Sequence, residues 1–167
     1  MLLSLDDTNI TRFLSVPSKP LLWHCFFQKC PVHKIIARRW IELISEHRIE
    51  DICDLTAPTW RMHGALPGLP PGPDGVRKLF GSFGAIEQKW TIEDVIAEGD
   101  KVVVRATNTC TQESFFGILS HGREQTFTAM FIHWIVDGKI VETWRNADDL
   151  GRVLQLGARI EPGTSGK

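Results

Sequence analysis

One histidine, His133, lies in the middle of an apolar segment that alternates like a β-strand. An imidazole can polarise a carbonyl group or relay a proton near neutral pH, so this position could serve acid and base chemistry. Alternation places His133 on the same face as Phe127, Ala129 and Phe131. We predict that His133 is catalytic and faces a pocket. The alternative is a histidine whose hydrogen bonds are satisfied in the core or on a dimer face.

Tryptophan side chains could form the wall of such a pocket. Trp40, Trp60 and Trp144 each offer a large flat apolar surface with one hydrogen-bond donor, which suits an aromatic or polycyclic ligand. Glu142 precedes Trp144 by two residues and shares its face if both lie in one strand. We predict that the three tryptophans and Glu142 bind substrate. Alternatively, the tryptophans are core residues and Glu142 forms a surface ion pair.

A zinc site is the other chemistry to weigh, because His24, Cys25, Cys30 and His33 lie close together. Adjacent His24 and Cys25 are awkward as joint ligands, and the segment has no pair of cysteines separated by two residues. We therefore expect no metal. The four cysteines of the chain are too sparse for a disulfide scaffold and indicate reduced thiols of a cytoplasmic protein.

Composition narrows the function further. The chain has 19 lysines and arginines against 20 aspartates and glutamates, without runs of like charge, so we expect no nucleic-acid partner. No apolar stretch reaches the ~18 residues of a membrane helix. Asp6 and Asp7 stand where a secretory signal would have basic residues. Phosphate-binding loops, nucleophile elbows and dinucleotide glycine patterns are missing from the sequence. A cytoplasmic protein that binds a small molecule fits these features.

Hydrophobic periodicity indicates the elements that would position these residues. Apolar spacing of three and four residues from His33 to Leu55 predicts an amphipathic helix and a second short helix after His47. Residues 58–65 alternate like a strand before a loop rich in proline and glycine. The later predicted elements are a helix capped by Asp74 from Gly75 to about Phe83, strands near Trp90–Ile96, Val102–Cys110, Gln125–Val136 and Lys139–Arg145, and a closing helix over Asp148–Leu156.

Helices first and antiparallel strands later predict an α+β fold. Its curved, mostly antiparallel sheet would carry helices on one face and form a cone with a central pocket. Asp137 and Gly138 suit the tight reversal between the last two strands. We expect an N-terminal extension over residues 1–31, one domain over 32–157 and a tail over 158–167.

Several separated segments resemble the SnoaL-like polyketide cyclases, also described as ester cyclases. The matching segments are Thr126–Gly151 with Leu154–Gly157, His63–Gly64 before the loop Pro67–Gly72, Ile96–Val102 and Phe116–Ile118. The resemblance covers about residues 33–157 and is specific as a set, although each motif alone is common.

The resemblance implies the nuclear transport factor two-like superfamily, with a helix-lined conical pocket, frequent homodimers and neither metal nor organic cofactor. Characterised members close a polyketide ring by intramolecular aldol condensation, with an acidic residue near the last strand as acid and base. Asp148 occupies that position, because the family pattern of Trp, three residues, Asp and then Leu-Gly is present as Trp144, Asp148, Leu150 and Gly151. His63 matches a cavity position; otherwise it fixes the loop that follows. The departures from the common pattern indicate a different substrate and are Thr143, Arg145 and His133.

Aldol closure requires a proton removed beside a carbonyl and a proton supplied to the oxygen that becomes a hydroxyl. One carboxylate can do both in an apolar pocket, and Trp144, Phe131 and Met130 could supply its walls. The alternative is that Asp148 or Asp149 caps the final helix, and we assign the cap to Asp149.

We therefore predict a cofactor-independent cyclase or isomerase for an aromatic or polycyclic, polyketide-like carbonyl compound, with catalytic Asp148 and His133. The alternatives are a non-catalytic binding protein for an apolar small molecule and a hydrolase or hydratase on the same scaffold. A binding protein would return its ligand unchanged, and a hydrolase would incorporate labelled water. The homodimer expected from the resemblance is tested by light scattering.

Overall fold

Four helices and seven strands make up the described part of the chain. The computed structural model describes residues 20–64 and 67–161, and for residues 20–30 it describes the backbone alone. The helices are α1 Pro20–Ser45, α2 Ile49–Asp54, α3 Pro73–Gly81 and α4 Asp149–Gln155. The strands are β1 Thr56–His63, β2 Ile86–Glu98, β3 Lys101–Gln112, β4 Ser114–Phe115, β5 Ile118–Leu119, β6 Gln125–Val136 and β7 Lys139–Ala147.

Helix α1 packs an apolar stripe against the sheet. Its buried residues recur at three- and four-residue spacing, as an amphipathic helix requires, and include Ala37, Trp40, Ile41 and Ile44. The helix begins at Pro20, upstream of the predicted start at His33, and contains Pro31. The division between extension and domain at residue 31 stays a prediction.

Five strands form one curved sheet in the order β1-β7-β6-β3-β2. Strand β1 runs parallel to β7, and the other neighbouring pairs are antiparallel. The predicted reversal between β6 and β7 is confirmed, since Asp137 and Gly138 both have positive φ, 49° and 75°. The predicted α+β class, with helices on a curved antiparallel sheet, is likewise confirmed.

A β-bulge interrupts the β6–β7 hairpin close to this turn. Ile135 pairs with Ile140, but the next residue of β6, Trp134, pairs with Glu142. Val141 is therefore the extra residue on β7. One extra residue reverses the face of every side chain beyond it, because strand side chains alternate with a period of two.

The bulge decides which side chains of β7 face the helices. Uninterrupted pairing from the turn would place Trp144 opposite the inward-facing Phe131, whereas the observed register places Arg145 there. The inner face of β7 therefore carries Thr143 and Arg145. The outer face carries Glu142 and Trp144.

The N-terminus of helix α3 differs from the prediction. The helix begins at Pro73, and its N-cap is Gly72 at φ 71°, without a side-chain cap. A side chain at Gly72 would collide with the backbone of Pro58, so glycine suits both the conformation and the space. Asp74 does not cap the helix, because its carboxylate pairs with Arg77 at 3.0 Å.

No helix among residues 20–64 and 67–161 is long and apolar enough to cross a membrane. Within the same ranges, no group of three or more His, Cys, Asp or Glu side chains could hold a metal ion. The side chains of His24, Cys25 and Cys30 lie outside the described residues.

Candidate active site

A cavity of about 250 Å³ lies between helices α1 and α3 and the inner face of the sheet. Its aromatic lining consists of Trp40, Phe80, Phe83, Trp90, Phe115, Phe116, Phe127 and Phe131. Trp90 meets Phe127 and Phe131 edge to face, with ring centroids 5.6 Å and 5.4 Å apart. Such a lining favours a flat apolar ligand, since aromatic rings offer large contact area and defined stacking geometry.

Polar side chains interrupt this lining at four positions, Gln88, Arg145, Asp149 and Arg152. Strand β2 supplies Gln88, the end of β7 supplies Arg145, and helix α4 supplies Asp149 and Arg152. A mainly apolar pocket with a few convergent polar groups is the usual form of a small-molecule site.

Arg145 and Asp149 form a two-pronged ion pair at the cavity. The Arg145 nitrogens Nη1 and Nη2 donate to Asp149 Oδ2 and Oδ1 at 2.8 Å and 2.7 Å. The two side chains are only 20% and 29% exposed. Two parallel bonds fix the plane of the carboxylate as well as its position. Arg145 points inward because of the bulge, and Asp149 lies four residues later in the first turn of α4.

Gln88 presents an amide group to the cavity. Its Oε1 accepts hydrogen bonds from Trp90 Nε1 at 3.2 Å and from Asn108 Nδ2 at 3.3 Å. An indole N–H can only donate, so the oxygen of Gln88 must face Trp90. The amide nitrogen then remains as a donor with no partner among the described residues, and it could hold a ligand carbonyl.

Arg152 brings a guanidinium into the interior, where the residue is only 4% exposed. Its Cζ lies 3.8 Å from the centroid of Phe115 and 4.8 Å from that of Phe127. Nε donates to Gln125 Oε1 at 3.3 Å, and Nη2 donates to Cys110 Sγ at 3.2 Å. Burial lowers the pKa of Arg152 and raises the pKa of the Cys110 thiol.

Asp148, the predicted catalytic residue, does not line the cavity. Its Oδ1 accepts the amide hydrogen bond of Gly151 at 2.8 Å, which makes Asp148 the N-cap of α4. The assignment of the cap to Asp149 is therefore wrong: Asp148 caps the helix, and Asp149 lines the cavity. The physical reason is that α4 begins at Asp149, so Asp148 is the Ncap residue, whose side chain accepts from the free amides of the first turn.

His133 is fully buried behind the cavity wall. Its ring is packed against Trp40 and Phe131, with centroids 5.1 Å and 6.2 Å away, and Nδ1 bonds to Thr143 Oγ1 at 3.0 Å. Nε2 has no partner among the described residues. Burial lowers the pKa of His133 to about 3, so the ring is neutral near pH 7. The structure places His133 in the core rather than in the lining.

The other predicted cavity residues divide between the inner and outer faces. Trp40 and Phe131 line the cavity, as the sequence predicts. Trp60 is a core residue, fully buried, whose Nε1 donates to Thr143 Oγ1 at 3.0 Å. Met130 is 49% exposed on the outer face. Its predicted place beside Phe131 is wrong because adjacent strand residues point to opposite faces.

His63, Glu142 and Trp144 lie together on the outer face of the sheet, away from this cavity. His63 Nε2 is 3.0 Å from Glu142 Oε2, and the His63 ring stacks on Trp144 with centroids 4.9 Å apart. His63 instead lines a polar groove with the loop Pro67–Pro71. The bulge turns Glu142 and Trp144 outward, so neither lines the aromatic cavity, and their contact with a substrate stays a prediction.

Sequence reasoning missed Gln88, Arg145 as a site residue, Asp149 and Arg152. The four-residue spacing of Arg145 and Asp149 gives no sequence signal, because neighbours at that spacing are a property of helices and Arg145 lies in strand β7. Arg152 is notable in sequence, because it interrupts the apolar residues of the last helix. That signal identifies no cavity without the sheet register.

Comparison with known proteins places this cavity in a known scaffold. The family model of the SnoaL-like domain matches residues 37–143. TsrD from Streptomyces laurentii is 25% identical, with a TM-score of 0.69 over 77% of this chain and 97% of that chain. A candidate polyketide cyclase from Bacillus cereus is 28% identical, with a TM-score of 0.61 over 73% of this chain and 78% of that chain.

A more distant structure, an LEH-like epoxide hydrolase from M. tuberculosis, shares the fold alone. It is 13% identical, with a TM-score of 0.59 over 77% of this chain and 91% of that chain. No curated protein matches the chain. The family match ends at residue 143, so Arg145, Asp149 and Arg152 lie beyond the matched segment.

Proposed function

The chain belongs to the SnoaL-like domain family, and on that premise we propose that it catalyses acid and base chemistry on a carbonyl compound in its aromatic cavity. The observation that carries the proposal is the Asp149 carboxylate, held by Arg145 at the wall of the cavity. A fixed carboxylate beside a bound carbonyl compound is the arrangement that proton transfer at carbon needs.

The proposed reaction begins when the Asp149 carboxylate removes a proton from the carbon next to the ligand carbonyl. The electron pair of the broken C–H bond forms the enolate, whose charge develops on the carbonyl oxygen. The amide N–H of Gln88 donates to that oxygen and stabilises the charge. Arg145 is a positioning residue, which keeps the carboxylate oriented during the transfer.

Two outcomes follow from the same enolate. In a cyclase, the enolate carbon forms a bond to a second carbonyl carbon of the same molecule, and the new alkoxide takes the proton from Asp149. In an isomerase, the proton returns to a different carbon. Both reactions balance without an added oxidant or reductant. The aromatic lining favours a flat, polyketide-like skeleton as substrate.

Exchange of the α-proton with heavy water tests the first step without knowledge of the final product. Aromatic 1,3-diketones serve as probes, and mass spectrometry measures the rate of deuterium uptake above the rate without protein. We expect Asp149→Asn to slow exchange by about 100-fold or more, since general base catalysis contributes 10²–10⁴-fold. Asp148→Asn is the matched control. It should retain exchange activity, because asparagine caps helices as well as aspartate does.

The reverse pattern, activity lost in Asp148→Asn and kept in Asp149→Asn, would return the base to Asp148. A wild-type protein that binds a diketone tightly but leaves its α-protons unexchanged would be a binding protein instead.

A further inference from the structure

Arg152 carries a buried positive charge that the reaction proposed above does not use. Its described hydrogen-bond acceptors are Gln125 Oε1 and the thiol of Cys110, and both are neutral groups. Among the described residues, Arg152 forms no ion pair, whereas the neighbouring Arg145 pairs fully with Asp149. A buried charge without an opposite charge costs several kcal/mol, so an unpaired guanidinium in a cavity favours an anion.

The charge count of the cavity leads to the same conclusion. Its ionisable lining residues are Arg145, Arg152 and Asp149, which give two positive charges and one negative charge. A ligand with a single negative charge would therefore neutralise the cavity. A low-dielectric aromatic lining strengthens that attraction relative to water.

The guanidinium of Arg152 is also held in place before a ligand binds. Nε donates a hydrogen bond to Gln125, Nη2 donates one to Cys110, and the centroid of the Phe115 ring lies 3.8 Å from Cζ. The third nitrogen, Nη1, has no hydrogen-bond partner among residues 20–64 and 67–161. Little side-chain entropy remains to be lost when that nitrogen receives an acceptor, because the group is already ordered.

We propose that Arg152 binds a carboxylate of the substrate, and that the substrate class is therefore an aromatic carboxylic acid with an enolisable carbonyl. The aromatic lining takes the ring system, Arg152 takes the carboxylate, and Asp149 acts on the carbon beside the carbonyl. The inference rests on the cavity of the proposed function but requires no turnover.

A matched pair of probes tests this assignment by calorimetry. 2-Naphthoic acid and 2-naphthamide have nearly the same shape, and only the acid is charged at pH 7. We expect the wild-type protein to bind the acid about tenfold more tightly or better, since a hydrogen bond to a charged group contributes ~1.5–3 kcal/mol.

The variant Arg152→Gln should bind both probes with affinities within about twofold of each other, because the neutral amide retains a donor but no charge. The control is Arg105→Gln. It makes the same change of net charge on the outer face, where Arg105 pairs with Asp94, and it should keep the preference for the acid. If Arg152→Gln fails to fold, Arg152→Met provides the test, because methionine is flexible enough to keep the apolar contact with Phe115 and carries no charge. It should likewise abolish the preference for the acid.

Three results would overturn the inference: equal wild-type affinity for both probes, no detectable binding of the acid, or an unchanged preference in folded Arg152→Gln. Where that last variant does not fold, an unchanged preference for the acid in Arg152→Met overturns the assignment in the same way. A protein that prefers the acid but exchanges no α-protons would retain the Arg152 site and lose the proposed catalysis. A protein that exchanges the α-protons of neutral diketones but shows no preference for the acid would retain the proposed catalysis and lose the Arg152 site.

Discussion

The two faces of strand β7 carry similar side chains in opposite surroundings. On the inner face, Arg145 holds Asp149 in an aromatic cavity. On the outer face, Glu142 pairs with His63 beside Trp144, and the His63 side chain is 45% exposed. Both clusters combine a carboxylate, a nitrogen hydrogen-bond donor and an aromatic ring. The two carboxylates are each 29% exposed, but the inner one faces the aromatic cavity, and its partner Arg145 is 20% exposed against 45% for His63. An apolar lining strengthens electrostatic interactions with a bound ligand.

The comparison shows that residue type and spacing identify candidates, whereas the register of one hairpin decides which of them reach the cavity. A change of that register should therefore have the largest effect, a change to a buried residue of the inner face a smaller effect, and a change to the outer cluster the smallest.

Insertion of one alanine between Glu142 and Thr143 should have the largest effect. With the bulge kept, the added residue shifts the pairing beyond it by one position, so Thr143 turns outward and Trp144 turns inward, into the core. The buried Trp60 Nε1 and His133 Nδ1 then lose Thr143 Oγ1 as their partner. Each buried polar atom left without a partner costs about 1–3 kcal/mol, so we expect the free energy of unfolding to fall by about 2–6 kcal/mol. Urea unfolding measures this change.

The control is deletion of Val141, which also changes the length of β7 by one residue but restores regular pairing with the same partners. Glu142 stays opposite Trp134 and Thr143 stays opposite His133, so we expect the deletion to cost about 1 kcal/mol, the usual size of a single change. An insertion variant as stable as the wild type would mean that the register of this hairpin does not determine which face is buried.

The same bulge explains which parts of the site could be predicted from sequence. Asp137 and Gly138 predict the turn, and the alternation of β6 places Phe131 and His133 inward, because these are local signals. The extra residue, Val141, has no local signature. Valine suits a regular strand as well as a bulge, so the sequence alone favours the uninterrupted register and points Trp144 inward.

Asp148 and Asp149 illustrate a second limit. Either aspartate could cap helix α4, and the choice depends on where the strand ends and the helix begins, which sequence locates only to within a few residues. The family resemblance indicates this region but not the face, because a shift of one residue moves the cavity carboxylate from one aspartate to the next.

Stability at acidic pH should report on His133, on the buried inner face. Burial lowers the pKa of His133 in the folded state from 6.5 to about 3. Between these values the unfolded chain binds a proton that the folded chain does not, so stability is complete above about pH 6.5 and decreases as pH falls. The maximum slope for one such group is about 1.4 kcal/mol per pH unit, or about 2 kcal/mol between pH 6.5 and pH 5.

Urea unfolding at these two pH values measures the loss. His133→Gln should remove this part of the pH dependence, because glutamine does not titrate. His121→Gln is the control, since His121 lies in an exposed turn, and it should leave the slope unchanged. Equal slopes in both variants would show that His133 accepts a proton in the folded protein, and His133 would again be a candidate for proton relay.

The outer cluster should give the smallest effect. Glu142→Gln breaks the contact with His63. The side chain of His63 is 45% exposed and that of Glu142 is 29% exposed. Exposed pairs contribute about 1 kcal/mol or less and are screened by salt, so the free energy of unfolding should change by less than about 1 kcal/mol.

The α-proton exchange rate of Glu142→Gln should equal that of the wild type, because Glu142 does not line the aromatic cavity. The informative comparison is with Asp149→Asn, since both variants replace a carboxylate by its amide on either side of one strand. If Glu142→Gln lost exchange activity and Asp149→Asn kept it, the reaction would belong to the groove lined by His63, and the aromatic cavity would be only a binding site.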